Sequence, residues 1–160
     1  MVFYGANKEV ENLLREAMWN EQISIRSYQI LAQKAPNAKD ERQIRAIRRQ
    51  ERLHYVLLAD MYEEITGVDF VPGSPSVSLP KDFCGMIKTA IYDELASVRF
   101  YEKLAKDLDC ARQQKRLREI INDEKHQARI LAAIYHQCSH QQLRQTDELG
   151  YENYFPQYNY

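Results

Sequence analysis

The sequence predicts an all-α protein: an antiparallel four-helix bundle built of two repeated helical hairpins joined by a long crossover. Three observations carry that expectation. The five prolines and five glycines leave residues 6–35, 37–66 and 86–149 free of both breakers. These stretches are rich in Ala, Leu, Glu, Gln, Arg and Lys, the good helix formers. Within them apolar residues recur at alternating spacings of three and four, as on a helix face packed in a bundle. The second half also repeats the first at a constant offset. Strand signals are nearly absent, the best being the short run Val68-Asp69-Phe70-Val71. A chain of 160 residues suits one domain with its own core.

Taken in order, the helices are expected near 6–34, 40–65, 82–108 and 112–140. Pro36 ends the first, and Asp107-Leu108-Asp109-Cys110 offers a turn that divides the last long stretch. Short connections make helices 1–2 and 3–4 antiparallel hairpins, about 6–65 and 82–140. The intervening segment 66–81, rich in Gly, Pro and Ser, is the crossover. At about 3.3 Å per extended residue it spans about 50 Å, the length of a bundle. The expected domain is 1–145, followed by a Tyr-rich tail at 146–160.

Each helix carries one seam. Helix 1 reads Val10, Leu14, Ala17, Glu21, Ser24, Tyr28, Leu31, and helix 2 reads Ile44, Ile47, Glu51, His54, Leu58, Met61, Ile65. Helix 3 reads Phe83, Ile87, Ala90, Glu94, Ser97, Tyr101, Leu104, and helix 4 reads Leu117, Ile120, Glu124, Gln127, Leu131, Ile134, Cys138. Adding 73 to each position of the first two seams gives the last two. The match extends to Glu21-x-x-Ser24-x-Arg26-x-Tyr28-x-x-Leu31-Ala32 against Glu94-x-x-Ser97-x-Arg99-x-Tyr101-x-x-Leu104-Ala105. Shared Glu, Ser, Arg and Tyr do not follow from hydrophobic period alone, so the chain reads as a duplicated hairpin about a pseudo-two-fold axis.

Every seam is apolar at its ends and has a carboxylate in its middle. Glu21 lies 16 residues before a turn near 37 and Glu51 14 after it; Glu94 and Glu124 stand likewise about residue 110. At about 1.5 Å per residue all four carboxylates fall about 20–25 Å from their turns, in one layer. A buried carboxylate without a partner costs several kcal/mol or neutralises by raising its pKa, and clustered ones also repel. Divalent or trivalent metal ions answer that demand. His54, one turn after Glu51, points the same way and completes an ExxH pair, Glu51-Arg52-Leu53-His54. One Glu from each of two helices plus Glu-x-x-His pairs is the ligand plan of dimetal carboxylate bundles.

On these residues the chain resembles the ferritin-like superfamily, and its rubrerythrin-type branch in particular, over about residues 8–140. The resemblance implies a carboxylate-bridged dimetal site holding two iron ions, with manganese or zinc as other candidates. By carry-over Glu21 and Glu94 are the single carboxylates, Glu51 with His54 the helix 2 pair, and Glu124 the bridging carboxylate. Gln127 stands where the second ExxH histidine is expected, which implies a weaker second metal position. The other register for helix 4 uses Asp123 and His126 as a DxxH pair. It rotates the seam to Arg116, Glu119, Asp123, His126 and Ile130, a poorer core. Both the core pattern and the offset favour Glu124. No CxxC pair supplies a rubredoxin-like module, so an electron donor is expected to be a separate molecule. Ser97 stands where some rubrerythrin-type sites carry an additional Glu.

Blander assignments stand beside these. Arg15, Arg26, Arg48 and Arg99 are candidates to neutralise the layer in place of metal. His126, His136 and His140 read as solvated helix residues. Tyr28 and Tyr101 read as core filler whose hydroxyls need partners. Cys84, Cys110 and Cys138 are far apart and odd in number, which reads as structural thiols in a reducing, cytoplasmic compartment. A net charge of -1 supplies no basic field for nucleic acid. No apolar run approaches a membrane span, and the N-terminus lacks a signal-peptide layout.

Two function classes follow. One is a di-iron oxidoreductase acting on oxygen or peroxide, a ferroxidase or peroxidase, with a homodimer as its expected assembly. The other is a non-catalytic helical interaction module that keeps the scaffold with one metal or none. The Gln127 departure favours the second, and Glu21, Glu51, His54, Glu94 and Glu124 together favour the first.

Overall fold

The computed structural model describes residues 8–148, and within them the chain forms four α-helices and no strand. They are α1 (Lys8–Lys34), α2 (Ala38–Thr66), α3 (Phe83–Lys106) and α4 (Ala111–Glu148). Local chemistry sets their ends. Pro36 follows α1, and Asn37 caps α2: its side-chain oxygen accepts from the Asp40 N–H at 2.9 Å, and its Nδ2 donates to Asp40 Oδ2 at 2.7 Å. Gly67 closes α2 in the left-handed region (φ 71°), donating its N–H to Glu63 O. Asp82 caps α3 by accepting from the Gly85 N–H. A Cβ on Gly85 would lie 2.8 Å from Asp82 Oδ2, so a larger residue there would require the capping carboxylate to shift.

Helix α1 packs along α2 and α3 along α4, while α1 against α3 and α2 against α4 close the ring more loosely. The connection 67–82 is irregular, and the Val68–Val71 strand signal forms no strand. Phe70 instead packs on Tyr62, with the Arg15 guanidinium 4.9 Å from the Phe70 ring centroid and 5.5 Å from that of Tyr62. Its occupancy of that end of the bundle explains an apolar residue in a Gly- and Pro-rich segment.

The core falls into two apolar clusters. One holds Leu14, Met18, Leu58, Met61, Leu104, Leu117 and Ile120; the other holds Leu31, Ile44, Ile47, Ile87, Leu131 and Ile134. Fully burying one such side chain contributes about 1.5–3 kcal/mol, so the clusters supply the main drive for assembly. The seam carboxylates lie between them in sequence on every helix.

Two sequence expectations require correction. Cys84 and Cys138 are not free thiols: they form a disulfide, with Cα atoms 5.8 Å apart, tying the start of α3 to α4. The pairing removes the cysteine-based ground for a reducing compartment; Cys110 alone is free and exposed. Helix α4 also continues past 140 to Glu148, crossing the expected domain boundary at 145. Gln141-Gln142-Leu143-Arg144 and the residues after them contain no breaker before Gly150, so nothing stops the helix earlier. The remainder of the Tyr-rich tail, and residues 6–7 of the expected first helix, lie outside the described residues. Among those described, no helix is long and apolar enough to cross a membrane.

Candidate metal centre

All four helices deliver a carboxylate to the middle of the bundle: Glu21 from α1, Glu51 from α2, Glu94 from α3 and Glu124 from α4, each buried. His54 and Gln127 are buried with them. One ligand atom from each of Glu21, Glu51, His54 and Glu124 lies within 4.8 Å of the others. Glu94 stands beside this group in contact with Glu124. Of the two registers weighed for α4, Glu124 and Gln127 face inward, whereas His126 is exposed.

The electrostatics show what the cluster lacks. Burial pushes the carboxyls of Glu21, Glu94 and Glu124 well above the usual carboxylate range. Glu51 is pushed up to about 8, first by burial and then by Glu94, against the lowering influence of His54 and Gln127. None of the four arginines weighed as neutralisers enters the layer. Arg15 bonds Glu11 and Tyr62, Arg48 bonds Ile25 O and Gln29, and Arg26 and Arg99 are exposed. Glu21 Oε2, Glu51 Oε1, Glu94 Oε2, Glu124 Oε1 and His54 Nδ1 are all buried without a hydrogen bond. His54 Nδ1 lies 3.0 Å from Glu124 Oε1 and 3.5 Å from Glu51 Oε1, but without the alignment of a hydrogen bond. Converging orphan oxygens and one imidazole nitrogen are a donor set for a cation.

A surrounding shell orients these donors. His54 Nε2 meets Asp123 Oδ2 at 3.1 Å, so the outer ring nitrogen is held by a carboxylate while Nδ1 faces the cluster. That is how metal-ligating imidazoles are commonly fixed. Gln127 Nε2 donates to Gln50 Oε1 at 3.3 Å. These contacts are related by the repeat, since the same offset carries position 54 to 127 and position 50 to 123. The tyrosines obey it too: the Tyr28 hydroxyl donates to Glu94, and the Tyr101 hydroxyl donates to Glu21. Each tyrosine sits in one apolar cluster and reaches the carboxylate of the facing helix.

Sequence reasoning did not identify Asp123 as the partner of His54, nor Gln50 as that of Gln127. The offset that pairs 50 with 123 was the available signal. A cleft of about 370 Å³ opens between α1 and α3, lined by Ser24, Ser27, Tyr28, Ala90, Ala96 and Ser97 among others. These small side chains leave the space between the two helices unfilled, and Tyr28 connects the cleft to Glu94.

No protein-family model and no curated protein matches the sequence. Among solved structures, the fold is similar to that of a hypothetical protein from Pyrococcus furiosus. The TM-score is 0.69 at 21% identity, over 83% of this chain and 92% of that one. It is also similar to CopM in a silver-bound form obtained by soaking, with TM-score 0.68 and 15% identity over 80% of this chain and 96% of that one. Fold and site together define a four-helix bundle with a buried carboxylate–histidine cluster able to hold a metal ion.

Proposed function

We propose that the chain is a ferritin-like dimetal carboxylate protein of the rubrerythrin type. Its working form holds two iron ions and acts on oxygen or peroxide as a ferroxidase or peroxidase. One observation carries this reading: four carboxylates and a single imidazole converge in a buried layer that, among the described residues, receives no arginine or lysine side chain. Two divalent ions bring four positive charges to four carboxylates, which offsets the cost of burying them. Bound there, redox-active ions supply the electrons and Lewis acidity that oxygen or peroxide chemistry requires.

The chain's own residues hold and shape that centre. Glu21 and Glu94 each offer a carboxylate whose other oxygen accepts from Tyr101 or Tyr28. Glu51 and Glu124 stand on either side of His54 Nδ1, and Asp123 fixes the imidazole from outside. The α1–α3 cleft admits a small molecule as far as Tyr28. Hard oxygen donors with one imidazole suit iron, manganese or zinc better than the soft silver ion in the CopM structure. With no CxxC pair to build a rubredoxin-like module, electrons come from a separate donor.

Gln127 supports the second reading, a bundle with a single metal or none, because a neutral amide replaces an imidazole at the site. Metal content by mass spectrometry of iron-supplemented protein separates them. A stoichiometry near two supports the dimetal oxidoreductase, near one the single-metal form, and none the interaction module.

A further inference from the structure

Away from the buried cluster, α4 carries two histidines one turn apart, His136 and His140, both exposed. Their Nε2 atoms converge to 3.1 Å, with ring centroids 4.3 Å apart and planes inclined at 60°. We propose that this pair is a second, surface metal site that chelates a divalent d-block ion, copper(II) above nickel(II) and zinc(II). It is independent of the buried centre and of the function proposed for it.

The geometry carries the assignment. Two imidazole nitrogens at about 2.0–2.1 Å from one ion, separated by about 90–110° at that ion, lie about 2.9–3.4 Å apart. The observed 3.1 Å falls in that span. Positions i and i+4 put both side chains on one face of the helix. That helix is continuous from Ala111 to Glu148, so the backbone holds the pair in register before any ion arrives. Without metal, one Nε2–H donates to the other Nε2; to bind an ion the donating ring passes that proton through water to its own Nδ1, so that both Nε2 lone pairs face the metal and both rings stay neutral. Imidazole donors suit copper, nickel and zinc, and at a given site affinity rises to copper(II) in the first-row series. The other ligands of the ion are water, as exposure on both sides allows. Neither ring belongs to the buried layer, where His54 is the sole histidine.

The test is a copper(II) titration of the full chain followed by the visible d–d band, with helicity checked by circular dichroism. His136→Asn and His140→Asn should each weaken one copper equivalent at least tenfold, and Glu51→Ala should leave that equivalent in place. A double variant, His140→Gln with Gln141→His, keeps two histidines but turns one by about 100° on the helix. It should bind as weakly as the single-histidine variants. Undiminished binding in either single variant or in the register-shifted one would overturn the chelate. So would loss of that equivalent in Glu51→Ala.

Discussion

The two halves of the bundle have the same architecture and different chemistry. In the α1–α2 half the inner position after Glu51 is His54, held by Asp123 from the other half. In the α3–α4 half the inner position after Glu124 is Gln127, held by Gln50. An imidazole–carboxylate pair is thus answered, at the positions related by the sequence offset, by an amide–amide pair. The tyrosines show no such divergence: Tyr28 and Tyr101 exchange carboxylates symmetrically. The comparison teaches that the repeat preserved the layer while altering donor strength at one corner, so the centre is built asymmetrically. The ends differ as well. Cys84 and Cys138 join the second half covalently, whereas the equivalent positions of the first half are Glu11 and Ile65.

The largest effect is expected from emptying the shared layer. Glu51→Ala should abolish tight iron binding while raising the melting temperature of the metal-free protein, because one repelling buried carboxyl is gone. Unchanged metal content, or a large fall in metal-free stability, would show that the layer is balanced by something other than metal.

Next comes the covalent asymmetry. Closing a chain segment with a sequence separation of 54 restricts the unfolded state. In the chain-entropy account that contributes about 4 kcal/mol. Replacing both Cys84 and Cys138 by Ser should therefore lower stability by about that amount in denaturant melts. Iron content should not change, since the disulfide lies outside the layer.

The third prediction concerns pH. The layer carboxyls have folded-state pKa values raised above their unfolded ones, with Glu51 at about 8. The folded protein therefore binds more protons than the unfolded chain between the ordinary carboxylate range and pH 8. Metal-free stability should be greatest below that window and fall as pH rises through it. Each such carboxyl costs at most about 1.4 kcal/mol per pH unit. Iron-loaded protein should have a much flatter profile in thermal melts from pH 5 to 8. A metal-free protein that gains stability over this range would contradict the assignment.

The smallest effects probe the corner where the halves diverge. Gln127→His should tighten the second metal about tenfold, or about 1.4 kcal/mol, because imidazole is a better ligand than a neutral amide. Adding Gln50→Asp should tighten it further by restoring the outer carboxylate. His126→Ala should change neither stoichiometry nor affinity, since His126 is exposed. Competitive iron titrations of the three variants check this order.

Much of this molecule was legible in the sequence because helical period and breaker positions are local. The turn at Asp107–Cys110, the Pro36 stop and the four seams needed only neighbouring residues. The carboxylate layer was legible because antiparallel helices convert distance from a turn into height. Other features depend on three-dimensional partners. Nothing in the spacing of Cys84 and Cys138 identifies them as a pair; their meeting requires α3 and α4 to be packed first. The Tyr28 hydroxyl could have served many acceptors, and only the facing of α1 and α3 gives it Glu94. Asp123 looked like a rival ligand on sequence because it neighbours Glu124. One residue of helix rotation instead places it outside His54, partly exposed. Helix α4 runs past the end of its apolar seam because nothing in the sequence after Cys138 breaks it before Gly150.

The central claim is that metal ions replace protons on a buried, self-repelling set of carboxylates. Calorimetric titration of metal-free protein with iron(II) under anaerobic conditions tests it directly. At pH 7, run in two buffers of different ionisation enthalpy, it reads the protons released per ion bound. Tight uptake with net proton release is expected, and it should be lost in Glu51→Ala. Uptake without proton release, or no uptake at all, would contradict it.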